Sequence, residues 1–316
     1  MSTRQHILNL LLRVVVKTRL ARVKRPEDMR AGLERDAARH FAAPPEANFV
    51  RDVIRREGAP RKVGMVDAVW ASCDRPDRRK VILYFHGGAF IAGSPSTHRH
   101  LGAALAGAAG VRALLPDYRL APEHPFPAAV DDALAAYRHL LNAGYASSEI
   151  ALAGDSAGGG LAFSLLLKIE QLSLPAPAAV VAFSPWADMT GQAESLRRNA
   201  QRDVMLPVKR MREVVNFYLG DHDRADPLAS PALAAWKNPP PAVIMASRSE
   251  ILVDDSKKLA AGLRDAGGSV QLELWRGLPH AWPIFAGRLP EADSAIQHAG
   301  AFLSRHLTVD RTSLVA

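Results

Sequence analysis

Gly154-Asp155-Ser156-Ala157-Gly158-Gly159-Gly160 follows directly on the apolar run Ile150–Ala153, and the reading of this stretch decides the fold. A strand that ends in Gly-x-Ser-x-Gly and passes at once into a helix has to turn sharply. Gly154 and Gly158 leave space there that side chains would fill. Ser156 is then held on strained backbone with its hydroxyl facing out above the sheet. A serine hydroxyl is a weak nucleophile, and position plus a nearby base is what makes it useful. A glycine-rich helix start gives the same five-residue pattern, so the surrounding sequence has to decide.

Upstream, Val81–His86 is a short run rich in β-formers that feeds Gly87-Gly88-Ala89-Phe90, a strand leading into a glycine loop. Acyl transfer needs N–H donors aimed at the oxyanion of its tetrahedral intermediate. The amides expected here are those of Gly87, Gly88 and Ala157, the last being the residue after the nucleophile. Next comes the strand candidate Val111–Leu115 and, after it, Asp117-Tyr118-Arg119-Leu120-Ala121-Pro122-Glu123-His124-Pro125-Phe126-Pro127. Its three prolines exclude a helix and make a rigid connection.

Taken in order, His-Gly-Gly-Ala-Phe from His86, the Asp117–Pro127 segment, Gly-Asp-Ser-Ala-Gly-Gly and Pro279-His280-Ala281-Trp282 resemble the motifs of the hormone-sensitive-lipase family of bacterial esterases. The resemblance extends from about residue 60 to residue 305. It implies an α/β-hydrolase fold and a serine carboxylesterase acting on short- to medium-chain esters through an acyl-enzyme. It also implies N-terminal helices that belong to a lid over the active site. The family's loop usually carries a third glycine where this chain has Ala89. The resemblance implies donors from the first two glycines, so the hole survives the alanine. His86 is expected to brace this loop rather than take a proton.

In α/β-hydrolases the nucleophile is followed in the chain by the acid and then the histidine. His298 and His306 lie in Pro290–Leu307, whose apolar spacing reads as a closing helix, so they are expected at the surface. His280 follows the strand candidate Val270–Trp275 in a loop that can reach the serine, and is the expected base. For the acid, the family pattern Asp-x-Leu-x-Asp aligned on Leu252 selects Glu250, with Asp254 as the alternative. Either carboxylate type can orient an imidazole and stabilise its cation. Asp254 and Asp255 also suit the start of a helix at Ser256–Ala266. Phe90, Trp186, Met189 and Trp282 are candidates for the substrate-pocket wall, since they follow strand ends or flank catalytic loops. Core packing explains them equally well.

The 316 residues, 48% hydrophobic, suffice for one large core. Strand and helix candidates alternate from residue 81 to 305, which predicts a mostly parallel central sheet with helices on both faces. Phe49–Arg55 and Val63–Trp70 read as early antiparallel strands. Residues 1–45 form the expected N-terminal lid segment. Residues 46–316 form the catalytic domain, with a lid insertion at about 188–221. The net charge of +8 comes from scattered arginines without a nucleic-acid motif, so a solvated basic surface is expected rather than a nucleic-acid partner. The lone Cys73 excludes an intrachain disulfide and is compatible with the cytoplasm. No metal-ligand spacing is present, and no cofactor is expected.

In the N-terminal segment, Ile7, Leu8, Leu11, Leu12, Val15 and Val16 share one helical face, opposite Asn9, Arg13 and Lys17. The run is too short to span a bilayer. A lid helix is the favoured reading, and weak contact with a membrane surface is compatible with the pattern. The expected ligand is a small ester, and a homodimer is compatible with the sequence. Lactone or amide hydrolysis on the same triad is the alternative chemistry. A non-catalytic ligand-binding member of the fold is the remote one, disfavoured by the presence of His280.

Overall fold

The computed structural model describes residues 3–58 and 64–308. Val63, expected to open the second strand, lies outside the described residues. The chain begins with α1 (Thr3–Leu11), a π-helical stretch (Leu12–Lys17), α2 (Thr18–Arg22) and α3 (Pro26–His40). Then follow β1 (Asn48–Arg55), β2 (Met65–Ser72), β3 (Asp77–Phe85), α4 (Pro95–Ala109), β4 (Val111–Pro116) and α5 (Ala128–Asn142). The second half comprises β5 (Ile150–Asp155), α6 (Ala157–Gln171), β6 (Ala179–Phe183), α7 (Glu194–Arg198) and α8 (Val208–Leu219). It closes with β7 (Ala242–Ser247), α9 (Val253–Asp265), β8 (Val270–Trp275) and α10 (Pro290–His306).

The strands form one eight-stranded sheet in the order β1-β2-β4-β3-β5-β6-β7-β8. β1 and β2 pair antiparallel, as do β2 and β4, and the other neighbours are parallel. This is an α/β-hydrolase fold. Every residue of β5, β6 and β7 is buried, which explains why these strands read as unbroken apolar runs rather than alternating ones. On one face the sheet packs against α5, α6 and α9, through residues such as Leu140, Phe163 and Leu263. On the other it packs against α4 and α10, through Leu101, Ile296 and Phe302. Helix α4 starts at Pro95. The Ser94 hydroxyl accepts from the Thr97 amide while Thr97 Oγ1 accepts from the Ser94 amide, a reciprocal cap that fixes the first turn.

The N-terminal helix splits its apolar pattern: Leu8, Leu12 and Val16 pack on the body, and the rest of the expected face turns outward. Asn9 Nδ2 donates to the Gly277 carbonyl at 2.7 Å, and Gln5 Nε2 to that of Arg276 at 3.3 Å. Lys17 Nζ donates to the carbonyls of Ala200 and Asp203, at 2.8 and 2.6 Å. Asn9 and Lys17, expected to face solvent, therefore face the protein with Leu12, while Ile7, Leu11 and Val15 are exposed. Two loops with carbonyls in need of donors outweigh the apolar stripe. The wide π turn between Asn9 and Lys17 lets both side chains reach them.

The segment between β6 and β7 carries α7 and α8. Arg210 of α8 donates to the Val23 carbonyl just beyond α2, so the N-terminal helices and this insertion are tied to each other. Helix α3 reaches the glycine loop: Arg30 donates to the carbonyls of Ile91 and Ala121 and pairs with Glu123.

Candidate active site

The turn after β5 is as tight as its glycines require. Ser156 has φ +53° and ψ −122°, a strained conformation for a residue with a side chain. A Cβ on Gly154 would run into the Gly158 carbonyl, and one on Gly158 into the carbonyls of Phe85 and His86. The Ser156 amide donates to the Phe183 carbonyl at 2.8 Å, which fixes the turn to the neighbouring strand.

Three loops at the carboxyl ends of the strands converge on this serine, the usual place for a site in an open α/β sheet. The Ser156 hydroxyl lies 2.8 Å from His280 Nε2, and His280 Nδ1 lies 3.1 Å from Glu250 Oε2. With Nδ1–H donating to the carboxylate, Nε2 is left to accept from the hydroxyl. His280 and Glu250 are 2% and 1% exposed, so their bond is shielded from water. The loop after β8 is pinned by Ser247 Oγ donating to the Leu278 carbonyl at 2.6 Å, and by the Ala281 amide donating to Ser184 Oγ at 3.0 Å. On the loop after β7, the Ile251 amide donates to Asp203 Oδ2 at 2.9 Å, and Asn199 Nδ2 donates to the Glu250 carbonyl at 2.8 Å.

Burial works against a charged imidazole at His280. The hydrogen bond and charge of Glu250, with Asp203 and Asp155 behind it, more than offset that, and the proton affinity lies above the ordinary histidine value. Asp254 does not reach the imidazole. Its carboxylate accepts from the Ser195 amide at the start of α7 and pairs with Arg198 and Lys257, so it anchors the insertion. Asp255 is buried and accepts from the amides of Ala187 and Asp188. His298 is exposed and paired with Glu273.

The glycine loop requires a correction. The Gly87 amide donates to Asp155 Oδ1 at 3.0 Å, so it is committed to a buried carboxylate rather than free for an oxyanion. The same oxygen accepts from Tyr84 Oη at 2.8 Å, and His98 Nε2 lies 3.5 Å from Oδ2. Burial would raise the proton affinity of Asp155, but His98, Tyr84 and His86 bring it below the ordinary carboxylate value. The amides of Gly88, Ala89 and Ala157 have no hydrogen-bond partner among the described residues. His86 Nδ1 donates to the Gly87 carbonyl at 2.9 Å, and its ring stacks on Tyr118, whose hydroxyl donates to the His86 carbonyl at 2.7 Å. Burial pushes the His86 imidazole down to about 3, so it is a neutral brace.

Of the four residues considered for the pocket wall, Trp186 and Met189 line a cavity of about 790 Å³ with Met211, Val215, Leu196 and Leu252. Neither Ser156 nor His280 lines it. It adjoins the nucleophile through Trp186, whose amide donates to the Ser156 carbonyl at 2.9 Å. Phe90 and Trp282 are placed elsewhere. The Phe90 ring stacks on Tyr218 of α8 with centroids 3.9 Å apart and is buried beneath that helix. Trp282 packs against Trp275 in the core on the α10 side, its indole N–H reaching the Glu291 carbonyl. Asp155, Asp203 and Ser184 were not singled out from sequence. Asp155 lies inside the serine motif, so its place beside the nucleophile is legible in the sequence. Asp203 carries no local signal, because its partner amide is far along the chain.

A family model described as alpha/beta hydrolase fold matches residues 82–284. An acetyl-hydrolase of Streptomyces hygroscopicus is 43% identical over 241 residues, covering 76% of this chain and 80% of that protein. An ethyl acetate hydrolase of Pseudomonas putida is 33% identical over 233 residues, covering 72% and 73%. Among solved structures, an esterase from the bacterial hormone-sensitive lipase family superposes with a TM-score of 0.88 at 36% identity, over 98% of this chain and 99% of that one. EstE5 soaked with p-nitrophenyl butyrate gives a TM-score of 0.90 at 35% identity, over 98% and 100%.

Proposed function

This chain belongs to the α/β-hydrolase family, in its bacterial hormone-sensitive-lipase branch, and is a carboxylic ester hydrolase; from that premise we propose the roles of its residues and the esters it takes. Ser156 Oγ attacks the ester carbonyl as His280 Nε2 removes its proton. The oxyanion is received by the free amides of Gly88, Ala89 and Ala157, each such donor being worth about 10²–10³ in rate. His280 then protonates the departing alkoxide, and water repeats the sequence on the acyl-enzyme. Glu250 holds the imidazole in the tautomer that leaves Nε2 free, and steadies the cation. The hydrogen-bonded line from Ser156 through His280 to Glu250, at 2.8 and 3.1 Å, carries this reading.

Acetyl and other short acyl esters are the proposed substrates. The names of the acetyl-hydrolase and ethyl acetate hydrolase relatives suggest them. The cavity beside Trp186 leaves space for a group of medium length. Residues 1–45 and the insertion at about 188–221 act as the lid in this reading, since Lys17 and Arg210 tie the two together beside the site. A cytoplasmic location is part of the same reading, resting on the single free Cys73; no helix among the described residues is long and apolar enough to cross a membrane.

Mass spectrometry after treatment with an organophosphonate tests the nucleophile: one adduct is expected, on Ser156, and an adduct elsewhere overturns the assignment. Ser156→Ala abolishes turnover of p-nitrophenyl esters on this account. Rates across acetate, butyrate, octanoate, palmitate and an aryl amide test the substrate class, and a preference for palmitate or for the amide would refute it.

A further inference from the structure

Nine large hydrophobic residues are prominently exposed among those described, and five lie within nine positions of the N-terminal helix: Ile7 (57%), Leu10 (64%), Leu11 (55%), Val14 (61%) and Val15 (54%). The other four are scattered over β1, the start of β2 and the end of α6. Single exposed hydrophobics need no explanation, but a contiguous stripe does. This one cannot be hidden by a small roll of the helix. The opposite side is fixed by Gln5, Asn9 and Lys17, each donating to a backbone carbonyl of the body.

The charges carried by the helix itself have one sign, and carboxylates enter only from α3, where Asp36 holds Arg19 and Asp28 holds Arg25. No acidic residue occurs from Thr3 to Pro26, while Arg4, Arg13, Arg22 and Lys24 are exposed on or beside the helix. A shallow groove of about 490 Å³ continues the stripe, lined by Val14, Val15, Thr18, Arg19, Arg22 and Val23. Its valines offer contacts for acyl chains and the exposed Arg22 a contact for phosphate, while Arg19 is held by Asp36. We propose that this outward face is a docking surface for an anionic phospholipid membrane, with the helix lying in the plane of the interface. Apolar area inserted among the headgroups and attraction to anionic lipid act together on such a helix. A second copy of the chain fits less well, because pairing two such faces brings Arg4, Arg13, Arg22 and Lys24 of both copies together, while Asp36 and Asp28 are already held by Arg19 and Arg25.

The same helix holds the carbonyls of Arg276 and Gly277, just ahead of the loop that carries His280. Docking would therefore bring the rim of the active site to the bilayer, where apolar esters concentrate. The proposal itself concerns binding and stands whether or not the chemistry is assigned correctly.

Sedimentation with lipid vesicles tests it on the intact chain. The protein is expected to pellet with vesicles of equal parts phosphatidylcholine and phosphatidylglycerol, less with phosphatidylcholine alone, and to be released by high salt. The double variant Leu10→Glu/Val14→Glu should lower partitioning at least about tenfold, losing apolar contact and adding repulsion from anionic lipid. Both side chains are exposed, so its melting temperature should match the parent. Failure of the parent to pellet with the mixed vesicles overturns the proposal, as does equal binding by the double variant. So does a parent that ignores vesicles but is dimeric by light scattering, with the double variant monomeric; the face would then be an interface between copies.

Discussion

At the scale of single residues, the division of labour between Glu250 and Asp254 can be measured. Glu250→Gln keeps the shape but leaves the imidazole facing an amide, and kcat is expected to fall by about 10⁴, as for the equivalent exchange in another serine triad. Asp254→Asn should leave kcat within a few-fold and lower the melting temperature, because it loosens Ser195 and Arg198. The raised proton affinity of His280 has a consequence for pH. The imidazolium cannot accept the serine proton, so the acid limb of kcat/KM should lie above the ordinary histidine value of about 6.5. A limb centred below that value would contradict the environment described. Serine, histidine and glutamate were legible because each sits in a local motif whose spacing survives without the fold. The Gly87 amide was not, because its partner Asp155 belongs to the adjacent strand and only the folded sheet brings the two together.

Elements show what the motifs left out. The glycine loop takes Ala89 and Phe90 through φ +59° and +61°, where residues with side chains are strained. Ala89→Gly should relieve up to about 1 kcal/mol, partly offset by the freedom glycine gains when unfolded, and should keep the amide and the activity. A denaturant titration beside the parent measures this. Helix α4 carries a second test. His100 Nε2 donates to the Ile284 carbonyl at 2.9 Å, and burial pushes its imidazole down to about 4. The unfolded chain takes that proton first, so stability is lost as pH falls from about 6.5 towards the folded value, by up to about 1.4 kcal/mol per unit. His100→Gln keeps the donor without the titration, so its melting temperature should fall less steeply between neutral pH and pH 5. Helices and strands were legible to within a few residues where apolar period and length agreed. β3 reaches back to Asp77 only because Asp77 pairs with Val111 across an irregular register, which no local pattern announces.

For the molecule as a whole, the N-terminal helices, the insertion and the acid loop form one connected assembly. Lys17 holds the Asp203 carbonyl, and the Asp203 carboxylate holds the Ile251 amide next to Glu250. Lys17→Met removes two hydrogen bonds to carbonyls, so a loss of about 1–3 kcal/mol is expected in denaturant unfolding. Ester turnover should fall less than tenfold, in contrast to the complete loss in Ser156→Ala. The orientation of the first helix was illegible for the same reason. A helical wheel ranks its faces by apolarity, and it cannot know that distant carbonyls await Asn9 and Lys17. The π-helical stretch between these two residues constrains how the sequence can vary. Its wide turn holds about one residue more than an α-helix of equal rise. Deleting a single residue from positions 12–17 would leave an α-helix whose flanks keep nearly the same register, with Asn9 and Lys17 still facing their carbonyls. Deleting a second would swing everything before it by about 100° and take Asn9 from its carbonyl. Relatives should therefore lack one residue there far more readily than two.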